Sequence, residues 1–148
     1  MKILTIEKYK GNTYCIIFAD EKHIYLNSEI VSMYHLKPGI DIPEQAIEEI
    51  TAANDTRRAR ERALYLLAAK DYSYAELFKK LEANYSDEIC YTICNKMAEL
   101  GLINDRNYAE KVARNLFETK HFGIHRAKQE MKLKGIPDEL IADRKSVV

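Results

Sequence analysis

The sequence predicts a mainly α-helical protein: tandem three-helix repeats preceded by a small antiparallel β meander with a helix, which gives the N-terminal part an α+β character. Three observations carry this expectation. The first 26 residues are rich in Ile, Tyr, Thr and Phe and are broken by turn-forming triplets. After Thr56 no strand pattern returns, and apolar residues recur only at helical spacing. Those helical stripes then repeat at an offset of fifty residues. With 148 residues, 47% hydrophobic and 31% charged, the chain has the apolar side chains needed to offset the entropy lost on folding.

In chain order, the alternation in "KILTIEKY" and the apolar run "YCIIFA" read as strands, separated by "KGN" at 10–12 and closed by "DEK" at 20–22. So small a sheet needs a cover. "NSEIVSMYHL" supplies a helix with Asn27 or Ser28 as N-cap and a stripe of Ile30, Tyr34 and either Met33 or Leu36, which "KPG" at 37–39 ends. Pro43 and Glu44 suit a first helical turn, since proline lacks the N–H that would have no partner there. From there to Ala69 the chain is helix-compatible, with a weaker stretch, "TAANDTRR" at 51–58, marking either a boundary or a bend. We therefore divide the chain into a β-rich N-terminal region with one or two helices (1–54), a first three-helix repeat (55–104) and a second, incomplete one (105–148).

Within the first repeat, Ala59, Ala63, Leu66 and Leu67 form the stripe of one helix. Ser73 and Glu76 make a capping box that opens the next, with Tyr74, Leu77, Phe78 and Leu81 on its apolar face. The third carries Ile89, Cys90, Ile93, Cys94, Met97 and Leu100 in one sector, and Gly101 is its expected stop. Fifty residues on, Ala59, Ala63, Leu66, Leu67, Lys70, Tyr72, Leu77 and Leu81 meet Ala109, Ala113, Leu116, Phe117, Lys120, Phe122, Ala127 and Met131. One extra residue then sets "YSDEI" against "IPDEL". The matches fall on core-type positions, as tandem copies of one packing unit require.

Chemistry-bearing patterns are sparse. Cys15, Cys90 and Cys94 contain no CxxC pair and read as free thiols, the last two as core residues on the stripe of Ile89 and Met97. His121 and His125 lack an HExxH context and read as surface or cap residues. No paired general acid and base, nucleophile elbow or glycine-rich phosphate cradle is present, so the sequence predicts no enzyme, no cofactor and no metal site. The start "MKILTIEKYK" is too short in apolar residues for a signal peptide, and no segment approaches the ~18 of a membrane span. A cytoplasmic protein without membrane contact, and a monomer, is the expectation.

The zero net charge hides two unlike halves. Residues 1–56 hold 5 Lys and Arg against 9 Asp and Glu, whereas residues 57–148 hold 18 against 14. Between Arg106 and Lys134 there are 8 basic and 3 acidic residues. They form faces: His125, Lys128 and Lys132 lie at i, i+3 and i+7, and Lys111 with Arg114 lies opposite the stripe of Tyr108, Ala109, Val112 and Leu116. Such faces are either solvated surface or contacts for phosphate, which position a protein on a polyanion without reading its sequence.

Three segments, "ALYLLAAKDYSYAELFKKL", "LGLINDRNYAE" and "HFGIHRAKQEMKLKGI", together resemble in order and spacing the signature segments of the RecX family of bacterial recombination regulators. The matching positions are Ala63, Leu64, Leu67, Tyr72, Ser73, Glu76, Leu77, Lys80 and Leu81, then Leu100, Gly101, Ile103, Asp105, Tyr108 and Ala109, then Gly123, Arg126, Gly135 and Ile136. The strand-rich start with "YHLKPGIDI" is similar to the N-terminal part of longer members. The resemblance implies tandem three-helix repeats and a regulatory protein of DNA repair, homologous recombination and the SOS response. Such a protein binds the RecA recombinase in the groove of its filament on single- or double-stranded DNA and mainly inhibits filament growth, ATPase and strand exchange. The chain departs from the pattern at Ala83 and Asn84, where a glycine is common, and it is expected to lack the third, C-terminal repeat. With the basic faces, the resemblance makes Arg106, Lys111, Arg114, Arg126, Lys128, Lys132 and Lys134 the expected contacts for filament DNA or an acidic recombinase surface. The alternative is a helical-repeat adaptor that binds an acidic protein partner and makes no DNA contact.

Overall fold

The alternating patterns at the N-terminus form three antiparallel strands, β1 (Ile3–Lys8), β2 (Thr13–Phe18) and β3 (His23–Asn27), in the order β1-β2-β3. A computed structural model describes residues 1–143. Glu7 pairs with Cys15 and Cys15 with Tyr25, and the register slips once between Ile3 and Thr5. Because side chains alternate across a strand, Ile16, Phe18 and Leu26 share one face. That face is buried, together with Ile3, against Ile30 of helix α1 (Ser28–Met33) and Ile42 and Ile50 at the start of α2 (Glu44–Ala69). Asn27 is the cap of α1, accepting the Glu29 N–H at 2.9 Å. Leu36, not Met33, completes the stripe: Met33 is exposed.

The weak stretch at 51–58 does not interrupt α2, which is helical from Glu44 to Ala69. Asn54 explains its composition. This side chain is buried, and its amide accepts the Asn27 N–H at 2.8 Å and donates to the Tyr25 carbonyl at 3.3 Å. A poor helix former is thus kept for a polar tie to β3 that leaves its buried groups satisfied. Arg57 forms an ion pair with Glu29. The chain divides into one compact unit of Met1–Arg58 and another from Ala59 onward.

In the second unit two helical layers follow one another. The end of α2, α3 (Tyr74–Glu82) and α4 (Asp87–Glu99) enclose Ala59, Ala63, Leu66, Tyr72, Leu77, Leu81, Cys90, Ile93, Cys94, Met97 and Ile103. Then α5 (Asp105–Arg114), a π-helical turn (Asn115–Thr119), α6 (Ile124–Leu133) and α7 (Asp138–Asp143) enclose Ala109, Val112, Ala113, Leu116, Ala127, Met131, Ile136 and Ile141. Ala59, Ala63, Leu66, Leu77 and Leu81 and their counterparts fifty residues later are all buried, so the repeat in the sequence is a repeat of the fold. Cys90 and Cys94 are free core thiols, and burial pushes the Cys94 thiol up to about 12. Leu100 departs from its expected core position and is exposed, because α4 ends at Glu99. There Gly101, at φ +77°, lets the Gly101 and Leu102 N–H groups reach the carbonyls of Ala98 and Met97.

The two layers meet at Ser73. Its hydroxyl accepts the Glu76 N–H at 3.0 Å, and Glu76 Oε1 accepts the Ser73 N–H at 3.1 Å, which is the capping box the sequence promised. The same hydroxyl donates to the Lys134 carbonyl, at 2.7 Å. Beside it the Tyr74 N–H donates to Asp105 Oδ1 at 2.9 Å. Burial, followed by the neighbouring Glu76 carboxylate, pushes the Tyr108 phenol up. Gly135 lies against the same corner at φ +76°, where a Cβ would come within 2.7 Å of Ala75 Cβ.

Two outcomes are expected from this joint. Gly135→Ala has both a left-handed backbone and a steric clash to overcome, whereas Gly101→Ala has the backbone cost with open space around it. Urea unfolding should therefore show Gly101→Ala losing about 1 kcal/mol and Gly135→Ala clearly more. Burial also raises the Asp105 carboxyl, against the lowering effect of the Tyr74 N–H. A raised carboxyl binds its proton more tightly when folded, so its contribution is most favourable at acid pH and is lost as pH rises through the folded value. Asp105→Asn, which keeps the acceptor for Tyr74, should match or exceed the parent in stability at neutral pH. Thermal melts at decreasing pH should show any such gap closing.

Candidate functional site

Helix geometry places the basic residues of α5 and α6 on surfaces away from the apolar stripes, but it divides them among different environments. Lys111 Nζ reaches across the joint to Asp71 Oδ2 at 2.8 Å, an exposed ion pair between the layers. Lys111 also lines a cleft of about 390 Å³ with Lys70, Lys120 and Lys134, over a floor that includes Tyr108, Val112 and Leu116. Four ammonium groups thus border one cleft, with Asp71 and Glu130 as its acids.

Part of that charge has a local explanation. Lys120 and Lys134 stand at the C-terminal ends of the π-helical turn and of α6, where a cation complements unsatisfied carbonyls. Lys70 and Lys120 each lie over an aromatic ring two residues on, Tyr72 at 4.7 Å and Phe122 at 5.8 Å. Lysines suit phosphate as point charges and do not impose the bidentate geometry of arginine.

A second groove, of about 490 Å³, runs along α6 and α7 and is lined by His125, Lys128, Gln129, Lys132 and Asp138, with Ile141 and Ala142. His125, Lys128 and Lys132, placed on one face by their spacing, are brought together here. His125 Nε2 lies 3.3 Å from the Gln129 amide nitrogen.

The seven residues expected from the sequence therefore do not make one continuous patch. Lys111 and Lys134 border the inter-layer cleft, and Lys128 and Lys132 border the α6–α7 groove. Arg126 lies over Phe122, its guanidinium carbon 3.9 Å from the ring centroid. Arg106 and Arg114 are exposed on α5 and line neither depression. Lys70 and Lys120 were missed by face-by-face reasoning. Their signal was present in the repeat, which aligns the two lysines at the offset of fifty.

Among the described residues, no group of three or more His, Cys, Asp and Glu side chains is placed to hold a metal ion. No helix among them is long and apolar enough to cross a membrane.

Residues 104–143 match the family model described as the RecX second three-helix domain. The chain is 30% identical over 139 residues to the regulatory protein RecX of Clostridioides difficile, covering 92% of this chain and 66% of the relative. To RecX of Prosthecochloris aestuarii it is 31% identical over 88 residues, covering 59% of this chain and 58% of the relative. The crystal structure of a regulatory protein RecX superposes with a TM-score of 0.69 at 25% identity, covering 99% of this chain and 74% of that one. The chain thus spans between half and two thirds of the length of the curated relatives it matches.

The exposed Lys111–Asp71 pair is expected to serve the cleft's electrostatics more than the fold. Lys111→Met should change the unfolding free energy by less than about 1 kcal/mol, as measured by urea denaturation. A larger loss would make Lys111 a structural residue of the joint.

Proposed function

The chain belongs to the RecX family of regulatory proteins, and we propose that it binds a RecA-type recombinase filament on DNA and restrains its growth, ATP turnover and strand exchange. The observation that carries the reading is the gathering of lysines from both helical layers around the cleft and along the α6–α7 groove. A regulator of this kind acts by occupying a surface, so a rigid pair of layers with cationic depressions suits it.

In this proposal Lys111, Lys128, Lys132 and Lys134, with Arg106, Arg114 and Arg126, neutralise phosphates of the filament DNA or acidic side chains of the recombinase. Lys70 and Lys120 join them at the cleft. Phosphate contacts of this type release condensed counterions and set position without base readout. The protein works as a cytoplasmic monomer against single- or double-stranded DNA held in the filament.

Co-sedimentation with recombinase assembled on single-stranded DNA is the test. The parent protein should pellet with filaments at low salt, and the double variant Lys128→Glu with Lys132→Glu should bind about tenfold or more weakly. Its melting temperature should stay close to that of the parent, since Lys132 is exposed and Lys128 partly so. Failure of the parent to pellet with filaments would overturn the reading. Salt separates the alternatives: DNA contact predicts a fall of orders of magnitude between roughly 50 and 200 mM, and a mainly apolar protein interface a weak response.

A further inference from the structure

The sheet of the N-terminal unit has a second face that its core does not use. Since Ile16, Phe18 and Leu26 point inward, Glu7, Cys15, Ile17, His23 and Tyr25 point outward. Cys15 lies in the middle strand, with Glu7 directly across on β1 and Tyr25 directly across on β3. His23 is its diagonal neighbour, and the His23 Nδ1 lies 3.8 Å from the Cys15 sulfur. Cys15 is half-buried and His23 exposed, so the pair sits at the surface.

A thiol that donates to an imidazole gains little there, because sulfur is a poor donor and water competes. Thiolate and imidazole are also the side chains that bind zinc, at about 2.3 and 2.0 Å, and at a tetrahedral angle two such ligands stand roughly 3.5 Å apart. Cys15 and His23 are thus close to the spacing that one ion imposes. Charge on this face favours a cation: Glu7 stands beside the thiol, and Asp20 and Glu21 lie in the turn that leads to His23. The ammonium of Lys10 is held over the Tyr9 ring, in the β1–β2 turn at the other end of the sheet.

Two ligands leave a zinc ion half bound. It takes four in a structural site, and no third His, Cys, Asp or Glu among the described residues is placed to join this pair. A second copy of the chain brings the same two groups. Together they make a Cys2His2 set in which two thiolates balance the charge of the ion. The surroundings suit a like partner, since Ile17 and the rings of Tyr9 and Tyr25, 4.9 Å apart and each about half exposed, give the face an apolar character. Area decides what the metal must do. Three strands about 4.8 Å apart and about five residues long, at about 3.3 Å per residue, present on the order of 200 Å². A stable interface needs roughly 800 Å² from each partner, so these faces require the ion to hold them together.

We propose that Cys15 and His23 are half of a zinc site completed by the same residues of a second copy, so that zinc joins two chains through the outer faces of their sheets. Each thiol gives its proton to solvent as the sulfur binds the metal. The contact is two-fold and closes on itself, which limits the assembly to a pair. This zinc-bridged pair is a state additional to the metal-free monomer proposed to meet the filament.

The experiment uses the full, untagged chain, stripped of metal with a chelator and kept reduced with a phosphine so that no disulfide joins two chains. Zinc is then titrated, with calorimetry reading stoichiometry and sedimentation velocity reading mass. Saturation at one zinc per two chains is expected, with a doubling of mass that EDTA reverses. Cobalt(II) in place of zinc should show a thiolate-to-metal charge-transfer band and the intense d–d bands of a tetrahedral site. Cys15→Ser and His23→Ala, neither of them at a core position, should each lose the zinc-dependent doubling and keep the metal-free melting curve of the parent. A parent that stays monomeric at saturating zinc would overturn the proposal. So would a doubling that survives Cys15→Ser, since the metal would then be held elsewhere. Cys15→Ser should still pellet with filaments, and Lys128→Glu with Lys132→Glu should still double with zinc, so that failure of the filament reading and failure of this one are told apart.

Discussion

Ser73 is the point on which the helical unit turns. One hydroxyl, itself buried, completes the N-terminus of α3 and satisfies a carbonyl at the C-terminal corner of α6. A buried hydroxyl that gives and receives a hydrogen bond is highly directional, since removing either partner leaves a polar group unsatisfied where no solvent can repair it. The neighbouring features follow from that fixed point. Gly135 must be a glycine for the corner to approach Ala75, and Asp105 must supply the acceptor for Tyr74. Apolar cores hold each layer together, and this small polar joint sets the register between them.

The joint also defines the electrostatic surface. Lys134 is the residue whose carbonyl is held by Ser73, and its side chain borders the cleft that Lys70, Lys111 and Lys120 share. The Lys134 backbone is thus held across the joint by a neutral hydrogen bond, which leaves its side-chain charge intact. Only Lys111 of the four has a resolved carboxylate partner within ion-pair distance among the described residues.

Much of this was legible in the sequence, because its signals are local. The Ser73–Glu76 capping box, the Gly101 stop, the cysteines on a core stripe and the alternation of "YCIIFA" each need only a few consecutive residues to be read. The offset of fifty also exposed the tandem layers, since packing keeps the core positions similar in size and polarity. What escaped was non-local. Helix propensity could not show that Asn54, within an unbroken α2, is bonded to β3. Nor could periodicity on single helices show that Lys70 and Lys120, assigned to the scaffold, border the same cleft as Lys111. The seven expected contacts were chosen face by face, and folding distributes those faces over two depressions and exposed flanks.

The π-helical turn gives the repeat a further asymmetry. The two copies have the same number of residues leading to Lys70 and Lys120, yet the Lys70 N–H bonds the carbonyl four residues back and the Lys120 N–H the one five back. Ser73 is likewise matched by Gly123, which caps α6 without a side-chain bond. The first layer thus offers a hydroxyl to its successor, and the second has none to offer at the equivalent place. Stacking in this fold is polar in the sense of a head and a tail: the chemistry that joins layer one to layer two cannot be extended by simple iteration. A chain built from these modules would have to encode each interface separately, so that order along the sequence, and not self-association of like units, determines which layers sit side by side.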